Sequence, residues 1–575
     1  MGGDLSTAPK KVDLLIVGAG PTGLGAAYRL RQLGLTDFAL CEASDNVGGL
    51  ARSYTDDVGF TWDVGGHVLF SHYAEYDRIF EELMQGQYTT NERESWVRIA
   101  GTWVPYPFQN NLRYLPEADA KACIDGLIEA QTNSAGAAGA RDFGEFIDNV
   151  FGSGIAQQFM RPYNFKVWAY APEKMNKTWI GERVAVIDWK RAKRNMDEGL
   201  DDFGWGPNNT FKYPLGGTGD FYDRFAPLFA DQLQLHTRLV SIDTKARTAT
   251  FDHQGQLRTE PYDALVSTMP LDKLICDVIE DAPADIRETA QKLMHSGGYM
   301  VGVGIKRPCP STKCWMYFPE ADSPFYRVTY LSNYSPRMTP DPERYYSLLC
   351  ETSFSEDKPE DEATILERTI AGLESSGLLE PGERDDIVST WVMKVNYSYP
   401  TPSVERDELL AKLIPWLEER GIYSRGRFGM WKYEVANTDH SVMQGVELID
   451  RLTTGKPEQT IGITYKVTDD GRQAAEHERP KVAGSGEKRI AQELEAKNEE
   501  LERMREELER CKQQLLWPQR MIPPWAVSED SLLLLRLYRR QHWNIGCFGV
   551  QHVADAGKGW CRGACCNGIG CRRRR

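Results

Sequence analysis

The apolar positions near the amino terminus predict a strand, a helix and a second strand, in that order. Apart from Asp13, residues 12–17 are apolar, as in a strand that is buried on both faces of a parallel sheet. Residues 22–33 carry apolar side chains at helical spacing, and residues 38–42 are again strand-like and end on Glu42. Together these segments form a predicted βαβ unit.

The turn between the first strand and the helix has the pattern G-x-G-x-x-G, with glycines at positions 18, 20 and 23. In such turns Gly18 permits the tight bend, Gly20 lets the backbone approach a pyrophosphate, and Gly23 lets the helix pack on the strand. The helix N-terminus adds free N–H groups, and Glu42 lies about 20 residues on, where it can accept from a ribose hydroxyl. The unit therefore predicts an adenine dinucleotide site; the alternative is a glycine turn that only packs the unit.

Two glycine doublets close behind this unit favour a flavin over a nicotinamide as the dinucleotide. Gly48-Gly49 is followed by Leu50, and Gly65-Gly66 precedes His67. Each doublet removes side chains where backbone can approach another group closely. A nicotinamide enzyme needs one such turn, whereas a permanently held flavin is enclosed by several.

Farther along, the pattern changes twice. Residues 115–200 are rich in helix formers and predict a helical insertion. Residues 210–270 return to alternating runs, one of them around Val240, and predict a β-hairpin that returns to the nucleotide sheet. Four later strand-like segments predict a second, largely antiparallel sheet that covers a substrate cleft: Tyr299–Ile305, Phe325–Leu331, Tyr345–Cys350 and Ile387–Val395.

Composition narrows the class of protein. The chain has 575 residues, which exceeds a single hydrophobic core, so several domains are expected. A formal charge of −15 argues against nucleic acid as a partner. No apolar run is long enough to span a membrane, and the six cysteines before residue 500 are scattered, as in proteins of reducing compartments. These features predict a cytoplasmic protein.

Six blocks of sequence resemble the eukaryotic, fungal-type UDP-galactopyranose mutases and occur in that family's order within residues 10–470. The blocks are Asp63–His72, Trp103–Asn111, Met160–Ala169, Gly181–Ala185, Ser323–Arg327 and Ser424–Gly429. Members of this family are flavoproteins that interconvert UDP-galactopyranose and UDP-galactofuranose without net oxidation or reduction, and they supply galactofuranose for cell-surface glycans.

The resemblance implies a substrate site. Arg183 and Arg327 match the arginines that clamp the substrate pyrophosphate, a task suited to the planar, bidentate guanidinium. Asn208 matches a residue near the galactose. Tyrosines that bond the phosphates through their hydroxyls are matched by Tyr317, Tyr399 and Tyr433. The uridine pocket is matched by Tyr106, Phe108, Gln109, Asn164 and Trp168.

The resemblance also implies an FAD site. His67 matches a histidine on a loop beside the isoalloxazine, where it tunes the flavin rather than acting as a general base, and His72 stabilises that loop. Arg427 and Asn437 match residues at the flavin and the sugar. The implied cofactor shell is completed by Gly18, Gly20, Gly23, Glu42, Gly49, Leu50, Gly66, Val240 and Ser441.

The family's mechanism uses the cofactor as a nucleophile. The N5 of reduced flavin attacks the anomeric carbon and displaces UDP, the sugar adduct opens through an iminium, and the ring recloses with five members before UDP returns. The relatives take their electrons from NADPH. Arg93 matches a position implicated in NADPH binding; the alternative is an exposed arginine.

Pattern and resemblance together predict an α/β protein whose residues 10–480 form the catalytic region. A Rossmann-like FAD-binding domain is assembled from about 10–100, 210–275 and 420–465. A helical domain covers about 110–205, and a largely antiparallel substrate domain covers about 276–419.

The carboxyl-terminal region departs from the family. Residues 487–516 carry apolar side chains at 4-3 spacing among many charges, which predicts a coiled coil or a solvated charged helix, and hence a homo-oligomer as a hypothesis. Residues 517–575 are rich in cysteine and arginine, but their spacings fit no standard zinc pattern, and a disordered or spurious extension is the favoured interpretation. No metal site is predicted.

Two other classes of protein share part of this pattern. A flavin amine oxidase-like or desaturase-like enzyme would have the same dinucleotide turn but an apolar or amine-binding cleft, with no need for paired arginines. A non-catalytic scaffold that assembles through the heptads would purify without yellow colour.

Overall fold

The computed structural model describes residues 14–133, 135–203, 210–463, 465–467 and 473–475. Asn208 lies outside these ranges, as do the predicted coiled coil of residues 487–516 and the tail of residues 517–575. All described residues belong to one compact unit, Met1–Arg479.

The described residues form 21 strands and 13 α-helices. The strands are β1 (Leu14–Val17), β2 (Phe38–Cys41), β3 (Ser53–Thr55), β4 (Thr61–Asp63), β5 (Tyr88–Glu92), β6 (Ser95–Ile99), β7 (Thr102–Pro105), β8 (Thr210–Pro214), β9 (Leu233–Gln234), β10 (Thr237–Asp243), β11 (Thr248–His253), β12 (Gln256–Pro261), β13 (Ala264–Ser267), β14 (His295–Ile305), β15 (Trp315–Tyr317), β16 (Arg327–Tyr330), β17 (Tyr346–Phe354), β18 (Ile387–Pro400), β19 (Ile422–Ser424), β20 (Tyr465–Val467) and β21 (Gln473–Ala475). The helices are α1 (Pro21–Gln32), α2 (Ala74–Met84), α3 (Glu117–Asn133), α4 (Gly136–Gly139), α5 (Phe143–Ile155), α6 (Arg161–Trp168), α7 (Trp189–Glu198), α8 (Thr218–Asp223), α9 (Leu271–Lys273), α10 (Ala284–Ala290), α11 (Ile365–Ser375), α12 (Arg406–Glu418) and α13 (Thr438–Thr454).

A five-stranded parallel sheet in the order β19-β13-β1-β2-β9 carries the glycine-rich turn. All four residues of β1 are buried, as the apolar run predicts. The chain leaves β1, passes through α1 and returns as the adjacent β2, which is the predicted βαβ unit. The strand order and the parallel pairing confirm a Rossmann-like sheet.

The alternating runs of residues 210–270 divide between sheets. The strand β13 joins the parallel sheet beside β1, with Leu14 opposite Ala264. The segment around Val240 instead forms a separate three-stranded antiparallel sheet, β10-β11-β12. The expected hairpin is formed by β10 and β11, and β12 pairs with β11 as a third strand. The chain then returns to the nucleotide sheet at β13.

A seven-stranded sheet in the order β18-β14-β17-β16-β15-β6-β7 is the second sheet. Its strands pair antiparallel except for β15 with β6, so the predicted, largely antiparallel sheet is confirmed. Glycines let β14 accept large aromatic rings. A Cβ at Gly302 would lie 2.5 Å from the Trp62 ring, and one at Gly304 would lie 2.7 Å from the Phe60 ring.

Helices α3 to α7 occupy the segment that was expected to be helical, and they share one apolar core. Elsewhere, α1 crosses α13 at a contact that depends on glycine. A Cβ at Gly445 would lie 2.0 Å from the Thr22 carbonyl oxygen, and one at Gly25 would lie 2.3 Å from the Val442 carbonyl oxygen. This close crossing brings the N-termini of α1 and α13 to the same cavity. None of the helices in the described ranges combines the length and the apolar character that crossing a bilayer requires.

Candidate active site

A cavity of about 930 Å³ is lined both by the glycine-rich turns and by residues of the seven-stranded sheet. It brings together most of the residues that the sequence singles out. These are Gly18, Gly20, Glu42, Gly49, Leu50, Gly66, His67, Arg93, Tyr106, Arg183, Tyr317, Arg327, Tyr399, Arg427, Tyr433, Asn437 and Ser441.

Glycine is needed at the three positions of the first turn for different structural reasons. Gly18 has φ +94°, and a Cβ there would lie 2.1 Å from Thr268 Oγ1. A Cβ at Gly23 would lie 1.9 Å from the Gly18 carbonyl oxygen. At Gly20, by contrast, the nearest atom to an added Cβ is Gly49 Cα at 3.9 Å. The protein's own packing therefore requires Gly18 and Gly23, while Gly20 leaves space open in front of α1.

The acid at the end of β2 closes the turn from the other side. Glu42 Oε2 accepts from the Ala19 N–H at 2.8 Å, and Oε1 accepts from the Ser44 N–H and Oγ, both at 2.8 Å. A carboxylate offers about four acceptor sites, so Glu42 retains capacity for a ribose hydroxyl. Open backbone at Gly20, the N-terminus of α1 and this acid fit the pyrophosphate and ribose of an adenine dinucleotide.

The loop that carries His67 contains Gly65, whose φ of +99° favours glycine. His67 Nδ1 is buried and has no hydrogen-bond partner among the described residues. Burial of the ring, together with the charge of Arg427, lowers the pKa of His67 to about 4. His67 is therefore neutral at physiological pH, and its ring is available to a ligand in the cavity.

Two of the arginines that line the cavity donate to neutral groups. Arg183 donates to Asn437 Oδ1 at 2.7 Å and to a backbone carbonyl at 3.1 Å. Arg427 donates to the Ser398 carbonyl at 2.9 and 3.1 Å and to the Ala436 carbonyl at 3.2 Å. Within the described ranges neither forms an ion pair, so their positive charges make the cavity attractive to anions.

Arg327, which also lines the cavity, is neutralised by a carboxylate. Arg327 Nε and Nη2 donate to the two carboxylate oxygens of Glu351 at 2.6 and 2.8 Å. Glu351 is 1% exposed, whereas the side chain of Arg327 is 22% exposed and lines the cavity. The pair therefore holds the guanidinium in one orientation at the cavity wall.

Aromatic rings pack against the arginines. The Arg427 guanidinium lies 4.9 Å from the centre of the Tyr399 ring, and that of Arg183 lies 5.3 Å from the centre of the Tyr433 ring. Such contacts are attractive because the ring face is negative. They fix these cations beside tyrosines whose hydroxyls can also donate to an anion.

A second aromatic group surrounds Arg93. Tyr106 and Tyr317 pack with ring centres 4.8 Å apart, and Tyr317 Oη accepts from Trp315 Nε1 at 2.6 Å. The Arg93 guanidinium lies 5.3 Å from the centre of the Tyr106 ring and 5.0 Å from that of Trp315. Arg93 is thus held between rings at the cavity wall, where the sequence alone also allowed an exposed arginine.

Four residues expected in the uridine pocket form a buried layer behind the cavity wall. Phe108 is fully buried and stacks on Phe159 with ring centres 4.8 Å apart. Asn164 donates to the carbonyl of its own helix at Met160, and Gln109 donates to the Ala185 carbonyl. Trp168 packs on Tyr433 and Tyr399, with ring centres 4.8 and 5.5 Å away. This layer supports the tyrosines that do line the cavity.

Two further expected cofactor residues do not line the cavity. Gly23 lies within α1, and Val240 lies in β10, where its neighbours Thr237, Arg238 and Leu239 reach the cavity instead. Asn208, the expected galactose residue, is outside the described ranges.

The structure also adds groups that the sequence did not single out. Glu351 is one of them. The sequence feature that could have identified it is that Glu351 is the lone charged residue in the nine-residue strand β17. Asp439 is another: its Oδ2 accepts from the His72 ring at 2.7 Å and from the His72 N–H at 3.0 Å. Although burial opposes it, the neighbouring His440 and His72 hold the pKa of Asp439 below its usual range. His72, which is expected to stabilise the loop, is thus hydrogen-bonded to Asp439 at the start of α13.

Comparisons with known proteins agree with this geometry. The family model described as flavin containing amine oxidoreductase matches residues 21–424. A crystal structure of reduced UDP-galactopyranose mutase is 44% identical and superposes with a TM-score of 0.74, covering 78% of this chain and 97% of the mutase. The resemblance to the mutases is therefore confirmed.

More distant relatives share less. The mitochondrial protoporphyrinogen oxidase of Nicotiana tabacum is 22% identical over 320 residues, which are 48% of this chain and 60% of that protein, less than two thirds of its length. Cyclohexylamine oxidase from Brevibacterium oxydans IH-35A is 14% identical with a TM-score of 0.54, covering 77% of this chain and 99% of the oxidase. That likeness is one of fold.

Proposed function

Because the chain belongs to the family of flavin containing amine oxidoreductases and, within it, to the UDP-galactopyranose mutases, we propose that it interconverts UDP-galactopyranose and UDP-galactofuranose with bound FAD. One observation carries the proposal: the dinucleotide cradle and the side chains of Arg183, Arg327 and Arg427 line the same cavity. A nucleotide-diphosphate sugar needs both cationic partners and a position next to the flavin.

The residues that would hold FAD are mainly backbone and small groups. Gly18, Gly20 and Glu42 would take the adenosine and pyrophosphate, and Asn437 and Ser441 at the start of α13 would face the rest of the cofactor, as would Gly49, Leu50 and Gly66. When bound and reduced, the flavin would supply the nucleophilic nitrogen N5 for the anomeric carbon of the substrate.

The protein's own groups would bind the nucleotide and keep it in place while the sugar changes ring size. Arg183 and Arg327 would contact the diphosphate, with hydroxyls of Tyr317, Tyr399 and Tyr433 as further donors. Tyr106 would offer its ring to the uracil, supported by the buried layer of Phe108, Gln109, Asn164 and Trp168. Asn208 would contact the galactose. Holding UDP in the site makes its return to the sugar an intramolecular event.

His67 and Arg427 would act beside the reacting centre. A pKa of about 4 makes His67 a weak base at neutral pH, so hydrogen bonding through the neutral ring suits it better than proton abstraction. Arg427 keeps a positive charge that no carboxylate in the described ranges neutralises, which would favour electron-rich reduced flavin and an anionic leaving group.

The source of electrons and the setting are part of the same proposal. NADPH would reduce the flavin, and Arg93, held between Tyr106 and Trp315, would contact its phosphates. The product would serve cell-surface glycans, and the enzyme would work in the cytoplasm. Amine oxidation, the activity that names the wider family, is disfavoured because Arg183 and Arg427, which form no ion pair with a described residue, would repel a cationic amine.

The test is conversion under reducing conditions. Purified holoprotein is reduced anaerobically, UDP-galactofuranose is added, and UDP-galactopyranose is measured by anion-exchange chromatography. We expect rapid conversion in the reduced sample and none in the oxidised control. Absence of conversion by reduced, flavin-loaded protein would falsify the mutase proposal, and oxygen-dependent peroxide formation with amines would favour the oxidase alternative.

A further inference from the structure

Glu351 is a buried acid for which the proposed reaction has no use of its own. It stands in β17 directly opposite Arg327 in β16, so strand pairing sets the two side chains against each other. Although burial alone would raise it, the charge of Arg327 holds the pKa of Glu351 below its usual range. The carboxylate is therefore charged at neutral pH, and both Glu351 and Arg327 belong to the cavity wall.

All the acceptor capacity of Glu351 is used. Oε1 accepts from Arg327 Nε at 2.6 Å and from the Gly66 N–H at 3.2 Å. Oε2 accepts from Arg327 Nη2 at 2.8 Å and from Tyr326 Oη at 2.8 Å. Four donors thus fill the roughly four lone-pair sites of one carboxylate. The oxygen Oε1 joins an arginine of the substrate site to the backbone of the histidine loop, residues 64–67.

The contact at Gly66 leaves little slack. A Cβ there would lie 3.1 Å from Thr329 Oγ1 and 3.5 Å from Glu351 Oε1. The next residue, His67, has its carbonyl oxygen 3.1 Å from Thr218 Oγ1, which also lies 2.8 Å from the buried carboxylate of Asp63. The histidine loop is therefore held by Glu351 at Gly66 and by Thr218 at His67. Of these two residues, Glu351 is also hydrogen-bonded to Arg327.

We infer that Glu351 is a positioning residue that couples occupancy of the diphosphate site to the histidine loop beside the flavin. The inference rests on the proposed function, in which Arg327 contacts the substrate diphosphate. Of the five N–H groups of Arg327, two are spent on Glu351 and three remain for an anion. A diphosphate that accepts hydrogen bonds from the Arg327 guanidinium alters the hydrogen bond from Arg327 Nε to Glu351 Oε1. The same oxygen accepts from the Gly66 N–H, so the histidine loop is affected too.

The test compares three substitutions with the wild-type holoenzyme. E351Q keeps the size of the side chain but puts an N–H donor where two donors now point. E351D keeps the charge but is too short to reach both Arg327 and Gly66. E458Q is the matched control, because the side chain of Glu458 is 2% exposed, as is that of Glu351, and it forms a bidentate pair with Arg425 at 2.6 and 2.7 Å. Neither Glu458 nor Arg425 lines the cavity.

Two quantities are measured on the oxidised holoenzymes: the UDP dissociation constant by calorimetry, and the change in the visible flavin spectrum at saturating UDP. We expect UDP to bind all four proteins and to perturb the flavin of the wild type and of E458Q equally. In E351Q and E351D most of this spectral change should be lost.

Each other outcome overturns the inference. A full spectral change in either Glu351 variant at saturating UDP would show that the coupling does not pass through this carboxylate. Loss of UDP binding in both variants, with the flavin spectrum of the free enzymes unaltered, would show that Glu351 serves only to hold Arg327. If E351Q does not fold, E351D decides alone, because it leaves Arg327 paired. Failure of the wild type to bind UDP would instead refute the proposed function.

Discussion

The two parts of the cavity are built in different ways. On the flavin side, the wall includes backbone at Gly18, Gly20 and Gly49, the N-termini of α1 and α13, and the carboxylate of Glu42. On the substrate side, the wall consists of arginine and tyrosine side chains from β15, β16, β18 and the segment around Arg427. The flavin side excludes side chains to let a ligand approach, whereas the substrate side depends on them.

The difference predicts separable functions. Backbone N–H groups and a helix dipole hold a cofactor without changing partner, which suits a group that stays bound. Arginines on aromatic faces can exchange contacts with an anion that must bind, react and leave. Substitutions on one side should therefore leave the other side intact, and the predictions below test that separation.

Arg327→Ala should have the largest effect. Removing one partner of a buried, hydrogen-bonded charge pair costs about 2–5 kcal/mol, so turnover should fall roughly 30- to 5,000-fold. FAD should remain bound, because Arg327 belongs to the substrate side. The measurement is steady-state conversion of UDP-galactofuranose with the flavin content taken from the visible spectrum.

The stability of that variant needs its own control. Arg327→Ala leaves the Glu351 charge buried without its partner, which should destabilise the fold by about 3–5 kcal/mol. The double variant R327A/E351Q removes that charge and should recover much of the melting temperature but none of the turnover. The separation fails if R327A/E351Q melts at nearly the wild-type temperature and still binds no flavin. Arg327 would then belong to the cofactor side.

The flavin side and the substrate side also differ in how much of each can be predicted from the sequence. The turn at Gly18–Gly23, the acid at Glu42 and the strand-like segments of the second sheet are contiguous patterns, and the sheets they predict are confirmed. Contiguity suffices here because neighbouring residues in the chain are neighbours in the turn.

The substrate side could be assembled from sequence only through resemblance to a family. Arg183 and Arg427 are far apart in the chain, and nothing local shows that both face one cavity. Glu351 was missed because its role depends on the register of β16 against β17, which places it opposite Arg327. Similarly, the stacking of Phe108 on Phe159 depends on how residues 108–110 pack against the segment Ala156–Met160 between α5 and α6, which no local pattern shows.

The flavin side can be tested with two glycines of one turn. At Gly20 an added methyl group makes only an ordinary van der Waals contact, with Gly49 Cα at 3.9 Å, so Gly20→Ala should fold normally but crowd the dinucleotide. Overpacking of this size costs about 1–3 kcal/mol, which is roughly a 5- to 150-fold rise in the FAD dissociation constant. The measurement is a titration of the apoprotein with FAD, in which binding is monitored through the quenching of tryptophan fluorescence.

Gly23→Ala is the contrasting variant. Its Cβ would lie 1.9 Å from the Gly18 carbonyl oxygen, so the backbone itself must move. The melting temperature of the apoprotein should fall for Gly23→Ala and stay unchanged for Gly20→Ala. Equal flavin affinity in Gly20→Ala and the wild type would mean that the open space at Gly20 is not where the dinucleotide lies.

The smallest expected effect concerns His67, where the two sides meet. The folded protein holds the pKa of His67 at about 4, and the unfolded chain has the ordinary value of about 6.5. Between these values the unfolded chain binds more protons than the folded protein, so His67 makes stability fall as the pH falls below 6.5. At pH 5.5 the loss relative to pH 7.5 should be about 1.4 kcal/mol.

His67→Gln removes this titration while keeping a polar side chain of similar size. Denaturant unfolding of the two apoproteins at pH 7.5 and 5.5 therefore isolates the contribution of His67, since all other groups cancel in the difference. The wild type should lose more stability than His67→Gln on acidification. A larger loss in His67→Gln would mean that the imidazole is charged in the folded state, and that a cation from the flavin side faces Arg427 directly.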